Sequence, residues 1–369
     1  MEGNKISKQL VDGQRIESID VLRAFALFGI ILVHGVNMFC CGRQDSLAMP
    51  IDELLSKLVL LIFQGRAATI FNILFGVSFG IMMGKVNYSP LKFVWRCFLL
   101  FLIGLVSKFF YWPDALMWYG IAGMILAPIR KLNPWQIVVL ILLLFYVAYS
   151  LRKLHLDNVL PPFFVGDITV RYDSNASIGE ALALQPDGVL WYVKVMLRSG
   201  FFGVVAKFAI GYLLVKIGWI YEMDKRLKAL HVVVSFLVYA LFYYFVNYLG
   251  VEGYWMKTLF NLSGALFYSM MVIWFFEHTM LRSFFGFFAS YGKLGLTNYF
   301  MQGLVGVLFF CHLGVAFMHF RMLYIILGVI IFYLLQAVFS FYWLKRFRNG
   351  PMEYLWRCAI ERKRLDFIK

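Results

Sequence analysis

The feature that most constrains this chain is its series of apolar runs. Ten stretches stand out, roughly 19–41, 64–84, 92–111, 114–130, 134–151, 195–217, 229–249, 257–280, 292–311 and 322–344. As helices they match the hydrocarbon core of a bilayer, which takes about 20 residues to cross. In lipid every backbone N–H and C=O must be satisfied within the protein, and a helix does this by itself. Of the 369 residues, 62% are hydrophobic and only 15% charged, too few polar groups to clothe a water-soluble body. The sequence therefore predicts an all-α polytopic membrane helix bundle of about ten transmembrane helices. Two shorter apolar pieces, 51–63 and 283–290, are expected to lie along the membrane interface. Disorder, collagen, a coiled coil and a small disulfide scaffold are excluded by the same composition.

The formal net charge of +15 needs a positional reading before a partner is inferred from it. With the spans threaded alternately, Lys5, Lys8, Arg15, Lys85, Arg130, Lys131, Lys225, Arg226, Lys228, Arg282 and the basic tail gather on one side. The other side collects Asp45, Asp52, Asp114, Asp157, Asp167, Asp173, Glu180, Asp187 and Glu252. Short loops rich in Lys and Arg stay inside, so both termini are expected in the cytoplasm. The charge is a topology signal, and no nucleic acid is needed to explain it. The first 18 residues are polar and the run from Ile19 lacks a small-residue cleavage site, so that run is expected to remain as a span. Four regions follow: a five-helix half over 1–151, an extracytoplasmic loop over 152–194, a second five-helix half over 195–344, and a basic cytoplasmic tail over 345–369. Cys40, Cys41, Cys97, Cys311 and Cys358 show neither a pairing framework nor metal-ligand spacing, and no metal is expected.

Ionisable groups inside lipid are costly, which makes each one a functional candidate. The first span carries Asp20, Arg23 and His34, followed by Asn37. Eleven residues of helix turn through about 1100°, so Arg23 and His34 share a face, roughly 16 Å apart along the axis. An arginine near the cytoplasmic surface suits bidentate phosphate binding. An imidazole in the outer half suits a general base acting on an acceptor. The bland readings are an Arg23 that snorkels and pairs with Asp20, and a His34 that bonds between helices.

Other polar positions recur along the chain. Gln64-Gly65-Arg66 opens the second span, with Asn72 behind it; Arg66, expected near the external interface, is either an anchor or an anion contact. Gly76, Gly80 and Gly84 form a close-packing stripe. Trp112-Pro113-Asp114 makes an external corner. Lys194, Arg198 and a deep Lys207 interrupt the sixth span, and Glu277 is one candidate partner for Lys207. Lys293 and Thr297 share one helix face, Asn298 and Gln302 another; amides in such places either bond between helices or line a cavity. A Walker A sequence, GxGxxG after a strand, HExxH and CxxC are all missing, which argues against an ATPase, a dinucleotide enzyme or a zinc hydrolase.

Four blocks in order carry a resemblance: Arg15 to Ile30, Phe71 to Phe79 with Leu74-Phe75-Gly76, Leu296-Thr297-Asn298-Tyr299 with Gln302, and Phe347 to Arg357. Over essentially its whole length the chain resembles the YeiB-like bacterial inner-membrane family, domain of unknown function 418. That family is similar to a branch of the transmembrane acyltransferase superfamily, whose O-acyltransferases carry an Arg, ten residues and a His on the first helix, as Arg23 and His34 do here. Many YeiB-like members have Asn at the position of His34, so this chain departs toward the catalytic branch. The resemblance implies a multi-pass protein of the bacterial cytoplasmic membrane that moves an acyl group, acetyl foremost, from cytoplasmic acyl-CoA to an extracytoplasmic hydroxyl or amine on a lipid, glycan or small molecule. Arg23 and His34 would be catalytic; Arg66, Asn37, Asn72, Lys207, Asn298 and Gln302 would bind substrate. The alternative is a transporter or flippase of a small metabolite or lipid intermediate using the same polar path. A non-catalytic envelope partner docking through its tail is a third reading.

Overall fold

The computed structural model describes residues 16–37, 49–85, 88–110, 115–153, 200–221, 227–278, 280–310 and 320–369. Most of the loop over 152–194, the Trp112-Pro113-Asp114 corner, Lys194, Arg198, Cys40, Cys41 and Cys311 lie outside them. Among the described residues the secondary structure is helical, with no strand beyond a single bridge between Phe347 and Ile368. In chain order the helices are α1 (Glu17–Asn37), α2 (Pro50–Phe63), α3 (Arg66–Met83), α4 (Pro90–Phe110), α5 (Leu116–Leu126), α6 (Pro134–Lys153), α7 (Phe201–Lys216), α8 (Ala229–Asn247), α9 (Tyr254–His278), α10 (Arg282–Lys293), α11 (Gly295–Phe310), α12 (Met322–Arg346) and α13 (Pro351–Glu361).

Among the described residues, seven helical stretches are long and apolar enough to cross a membrane: α1, α2 with α3, most of α4, α6, α8, α9 and α12. The protein is thus a multi-pass helical membrane protein. The expected spans over 114–130, 195–217 and 292–311 coincide with shorter helices, α5 of 11 residues and α7 and α11 of 16 each. At 1.5 Å per residue these describe about 16–24 Å of rod, less than a bilayer core.

The piece over 51–63 forms a helix continuous in sequence with the next span. It is α2, which joins α3 in one 34-residue stretch, Pro50–Met83. The break between them sits at Gly65, whose φ of +77° suits a residue without a side chain, and a Cβ there would lie 2.5 Å from Asn261 Oδ1. Arg66 therefore stands at the junction of the two helices. The small-residue stripe packs as expected: α3 meets α7 so closely that a Cβ on Gly76 would fall 1.8 Å from the Phe208 carbonyl oxygen.

Helix α1 is the central post of the bundle. In its most apolar window 67% of residues are buried, against 11% for α8. Leu22, Ala24, Ala26 and Leu27 of α1 are sealed among neighbouring helices. Any polar group on α1 is thus held by protein on most sides, while α8 presents Leu237, Leu241 and Phe236 outward.

Candidate active site

Beside the first turns of α1 the helices leave a cavity of about 590 Å³. Asp20 and Arg23 of α1, Phe71, Phe75 and Ser78 of α3, Arg96 and Cys97 of α4, Tyr119 of α5, Tyr299 of α11, and Glu353, Trp356 and Arg357 of α13 line it. The start of α1 and the C-terminal helix therefore lie at the same end of the bundle.

The two ends of this cavity differ chemically. Its inner wall is aromatic: Phe71 stacks on Tyr119 with centroids 5.8 Å apart, and Phe75 lies 5.8 Å from Tyr119 and 4.3 Å from Phe208. Phe71 is twelve residues before the end of α3, about 18 Å of helix, so the cavity penetrates deeply. Its outer part is cationic. Arg23, Lys85, Arg96, Lys293 and Arg357 line it, against the carboxylates of Asp20 and Glu353. A space flanked by cations and walled by low-dielectric protein attracts anions.

Arg23 is built into this wall. Its Nη1 donates to Asp20 Oδ1 at 2.7 Å and its Nη2 to Ser78 Oγ at 2.6 Å. Ser78 Oγ in turn donates to the Leu74 carbonyl at 2.7 Å. Asp20 is 1% exposed and the Arg23 side chain 25%, so the carboxylate is fixed behind a guanidinium that still fronts the cavity. The snorkelling alternative is half realised: Arg23 pairs with Asp20, yet faces an internal space.

His34 does not line this cavity. It sits eleven residues farther along α1, about 16 Å by helix rise, half-buried next to Gly35, whose Cβ would touch Val329 of α12 at 3.1 Å. Asn37 is exposed at the end of α1. Asn72, directly after Phe71, is buried, and its Oδ1 has no hydrogen-bond partner.

Arg66 is held away from the cavity. Its Nη1 donates to the Gln64 carbonyl and its Nη2 to the Leu61 carbonyl, the latter at 2.7 Å, and its guanidinium lies 4.3 Å from the Phe260 ring centroid. Tyr239 adds a hydroxyl to the Leu61 carbonyl at 3.2 Å. These side chains satisfy carbonyls that the broken helix leaves without intrahelical partners. Lys207 is half-buried on α7, within electrostatic reach of Arg152. Its suggested pairing with Glu277 fails: Lys207 lies one turn from Gly203, which abuts the Tyr254 hydroxyl at the start of α9, whereas Glu277 is near that helix's far end, roughly 34 Å away.

Asn298 and Gln302 belong to a network that is closed except at Gln302 Oε1, which has no hydrogen-bond partner. Asn298 Nδ2 donates to the Tyr291 carbonyl at 3.1 Å and to Ser340 Oγ at 3.0 Å. Gln302 Nε2 donates to the Tyr291 hydroxyl at 2.7 Å, which donates to Gln336 Oε1 at 3.1 Å. Gln336 Nε2 returns a bond to the Asn298 carbonyl at 3.1 Å. This mesh ties α10, α11 and α12, the interhelical role the sequence left open. Ser78, Arg96, Tyr119, Glu353, Trp356 and Arg357 went unselected as site residues. For the last three a signal existed, since they fall in the Phe347–Arg357 block that also carries the family resemblance.

Known proteins match the two halves of the chain separately. Residues 15–170 match the model described as heparan-alpha-glucosaminide N-acetyltransferase, catalytic, a region that holds Arg23 and His34. Residues 208–363 match that of a protein of unknown function, DUF418, a region that holds Glu353 and Arg357. The uncharacterized protein YxaH of Bacillus subtilis (strain 168) is 26% identical over 94% of both chains. An uncharacterized 39.9 kDa protein in the amylase 3′ region of Bacillus acidopullulyticus is 25% identical over 96% of both. The uncharacterized protein YeiB of Escherichia coli (strain K12) is 46% identical over 69 residues, 19% of this chain and 18% of its own. No solved structure gives a significant match. The chain is thus a multi-pass helical membrane protein whose first half is similar to that acetyltransferase catalytic region and whose second half is similar to DUF418 proteins.

Proposed function

We propose that the protein is a transmembrane acyltransferase of the bacterial cytoplasmic membrane. It takes an acyl group, acetyl foremost, from cytoplasmic acyl-CoA and delivers it to a hydroxyl or amine of an extracytoplasmic lipid, glycan or small molecule. In this reading ten helices traverse the membrane, both termini face the cytoplasm, and the cavity beside Arg23 opens there. The observation that carries it is the cavity's polarity: a cationic outer part suited to phosphates leads to an aromatic inner end suited to the uncharged acyl-bearing arm. Basic side chains would hold the anionic moiety, and Arg23, braced by Asp20 and Ser78, would keep a fixed guanidinium at the entrance to the apolar part.

The chemistry then needs a base on the far side. The acceptor oxygen or nitrogen attacks the thioester carbon, the carbon–sulfur bond breaks, the thiolate departs with CoA, and His34 takes the acceptor's proton. His34 stands about 16 Å beyond Arg23 on the same face of α1, and Asn72, next to Phe71 in α3, is buried with an unpartnered Oδ1 that would offer an acceptor to substrate.

The test is His34→Ala in purified protein supplied with radiolabelled acetyl-CoA and inverted membrane lipids or glycans as acceptors. The expected result is loss of acyl transfer with CoA binding and melting temperature retained; retained turnover would refute the assignment. Movement of a solute across proteoliposomes without an acylated product would instead establish the carrier reading.

A further inference from the structure

The outer wall of the cavity comes from a segment more than 300 residues after Asp20 in sequence, and that segment is fastened in place from two directions. On one side, Trp356 Nε1 donates to the Arg96 carbonyl at 3.1 Å, and the Arg96 guanidinium sits 3.9 Å from the Trp356 ring centroid. Lys92 and Glu361 form an ion pair at 2.6 Å along the same seam. On the other side, Glu353 Oε1 accepts from the Leu296 and Thr297 amides at 2.7 and 3.1 Å, and Oε2 accepts from the Thr297 hydroxyl. These amides are N–H groups at the start of α11 that no helical carbonyl reaches. The oxygens of Glu353 are thus taken up by a helix terminus.

That arrangement leaves the neighbouring cations little carboxylate charge: Glu361 is within electrostatic reach of Arg357, but its ion pair is with Lys92. Arg357 Nη1 donates to the neutral amide oxygen of Asn349 at 2.6 Å. Arg96, against its indole, lies within electrostatic reach of both Arg357 and Arg23. Among the described residues neither Arg96 nor Arg357 forms an ion pair with a carboxylate. Like charges gathered at a partly enclosed site repel one another, and the group that relieves this best is a phosphate, whose oxygens match guanidinium forks.

We infer that the C-terminal helix completes a phosphate-binding site, in which Arg357, Arg96 and Lys85 hold the phosphate groups of a phosphorylated ligand and Trp356 sets the position of Arg96. The acyltransferase reading supplies only the ligand's identity, with the phosphates of acyl-CoA placed here. A lipid phosphomonoester headgroup has the same chemistry.

The full chain in phosphatidylcholine nanodiscs tests this, with CoA, pantetheine (which lacks the phosphates) and nanodiscs doped with phosphatidic acid as probes. Arg357 and Lys85 are exposed, so Arg357→Gln and Lys85→Gln should fold as the parent does, with melting temperature as the check. Arg357→Gln is expected to weaken CoA binding about tenfold, as for loss of a hydrogen bond to a charged group. Pantetheine binding should stay unchanged, and Arg357→Lys should recover part of the loss. If phosphatidic acid but not CoA is held in an Arg357-dependent way, the phosphate site stands and the acyl-CoA reading falls. Unchanged CoA binding in both Gln variants, or a parent protein that binds neither CoA nor phosphatidic acid, overturns the proposal.

Discussion

Two regions of this molecule place polar side chains among apolar helices, and they do so with opposite outcomes. Around Asn298, Gln302, Gln336, Ser340 and Tyr291 nearly every donor and acceptor is matched, and these side chains are buried. Around Arg23, Arg96 and Arg357 the polar groups surround a space and positive charge exceeds negative. A polar residue in a membrane span is therefore not functional merely by being costly. What separates the two regions is whether the hydrogen-bonding and charge capacity is used up by protein. The amide mesh is neutral and closed except at Gln302 Oε1, which suits helix-to-helix glue; the guanidinium cluster is charged and open, which suits the phosphate proposed above.

The sharpest way to break this contrast lies at the anchor of the open site. Replacing Arg23 by Met leaves the Asp20 carboxylate, 1% exposed, without its guanidinium. Removing one partner of a buried pair costs about 3–5 kcal/mol. Thermal unfolding in detergent should show that loss, and Asp20→Asn combined with Arg23→Met should regain most of the stability while donor binding stays lost. A double variant that binds CoA normally would remove Arg23 from the site. The closed region should respond differently. Tyr291→Phe deprives the Gln302 donor and the Gln336 acceptor of their shared hydroxyl, at about 1–3 kcal/mol for buried groups left unsatisfied, with CoA affinity unchanged. A loss of affinity there would mean that the mesh reaches the cavity after all.

The smallest expected effect concerns pH. Burial raises the Glu353 carboxyl above the usual carboxylate range, outweighing the hydrogen bonds from Thr297 and Leu296 that lower it. A group raised in the folded state stabilises it fully at pH below its unfolded value, and that contribution fades as pH climbs through the folded one. The seating of α13 should therefore be firmest in mild acid and loosen as pH rises over that window. Trp356 fluorescence or hydrogen exchange of α13 would follow it. Glu353→Gln should flatten the dependence; an unchanged slope would assign it to another group.

Much of the frame was legible in the sequence, because apolar runs are a direct record of a lipid solvent. The helical class, the placement of most spans and the Gly76–Gly80 packing stripe follow from hydropathy and residue size alone. Arg23 was legible too, since a charge three residues after an acid in an apolar helix has few explanations. The break at Gly65 was not, because Gln64-Gly65-Arg66 reads equally well as the edge of a span. Only the packing of Asn261 and Phe260 against it shows Arg66 capping the break between two helices. Lys207 and Glu277 were linked on charge alone, and charge carries no depth. The Phe347–Arg357 block was visible as a motif, yet its basic neighbours read as a solvated tail, because contact with Arg96 depends on a return of the chain that no local pattern encodes.

The fastening of α13 beneath the cavity has a consequence for how the protein comes into being. Asp20 and Arg23 enter the bilayer among the earliest helices, but the residues facing them across the pocket leave the ribosome more than 300 residues later. Until then the nascent chain, however well inserted, has a half-walled cleft in place of a binding chamber. A polypeptide released early would be a membrane-resident protein deprived of one wall of its cavity, and the enclosed chamber exists only in finished chains.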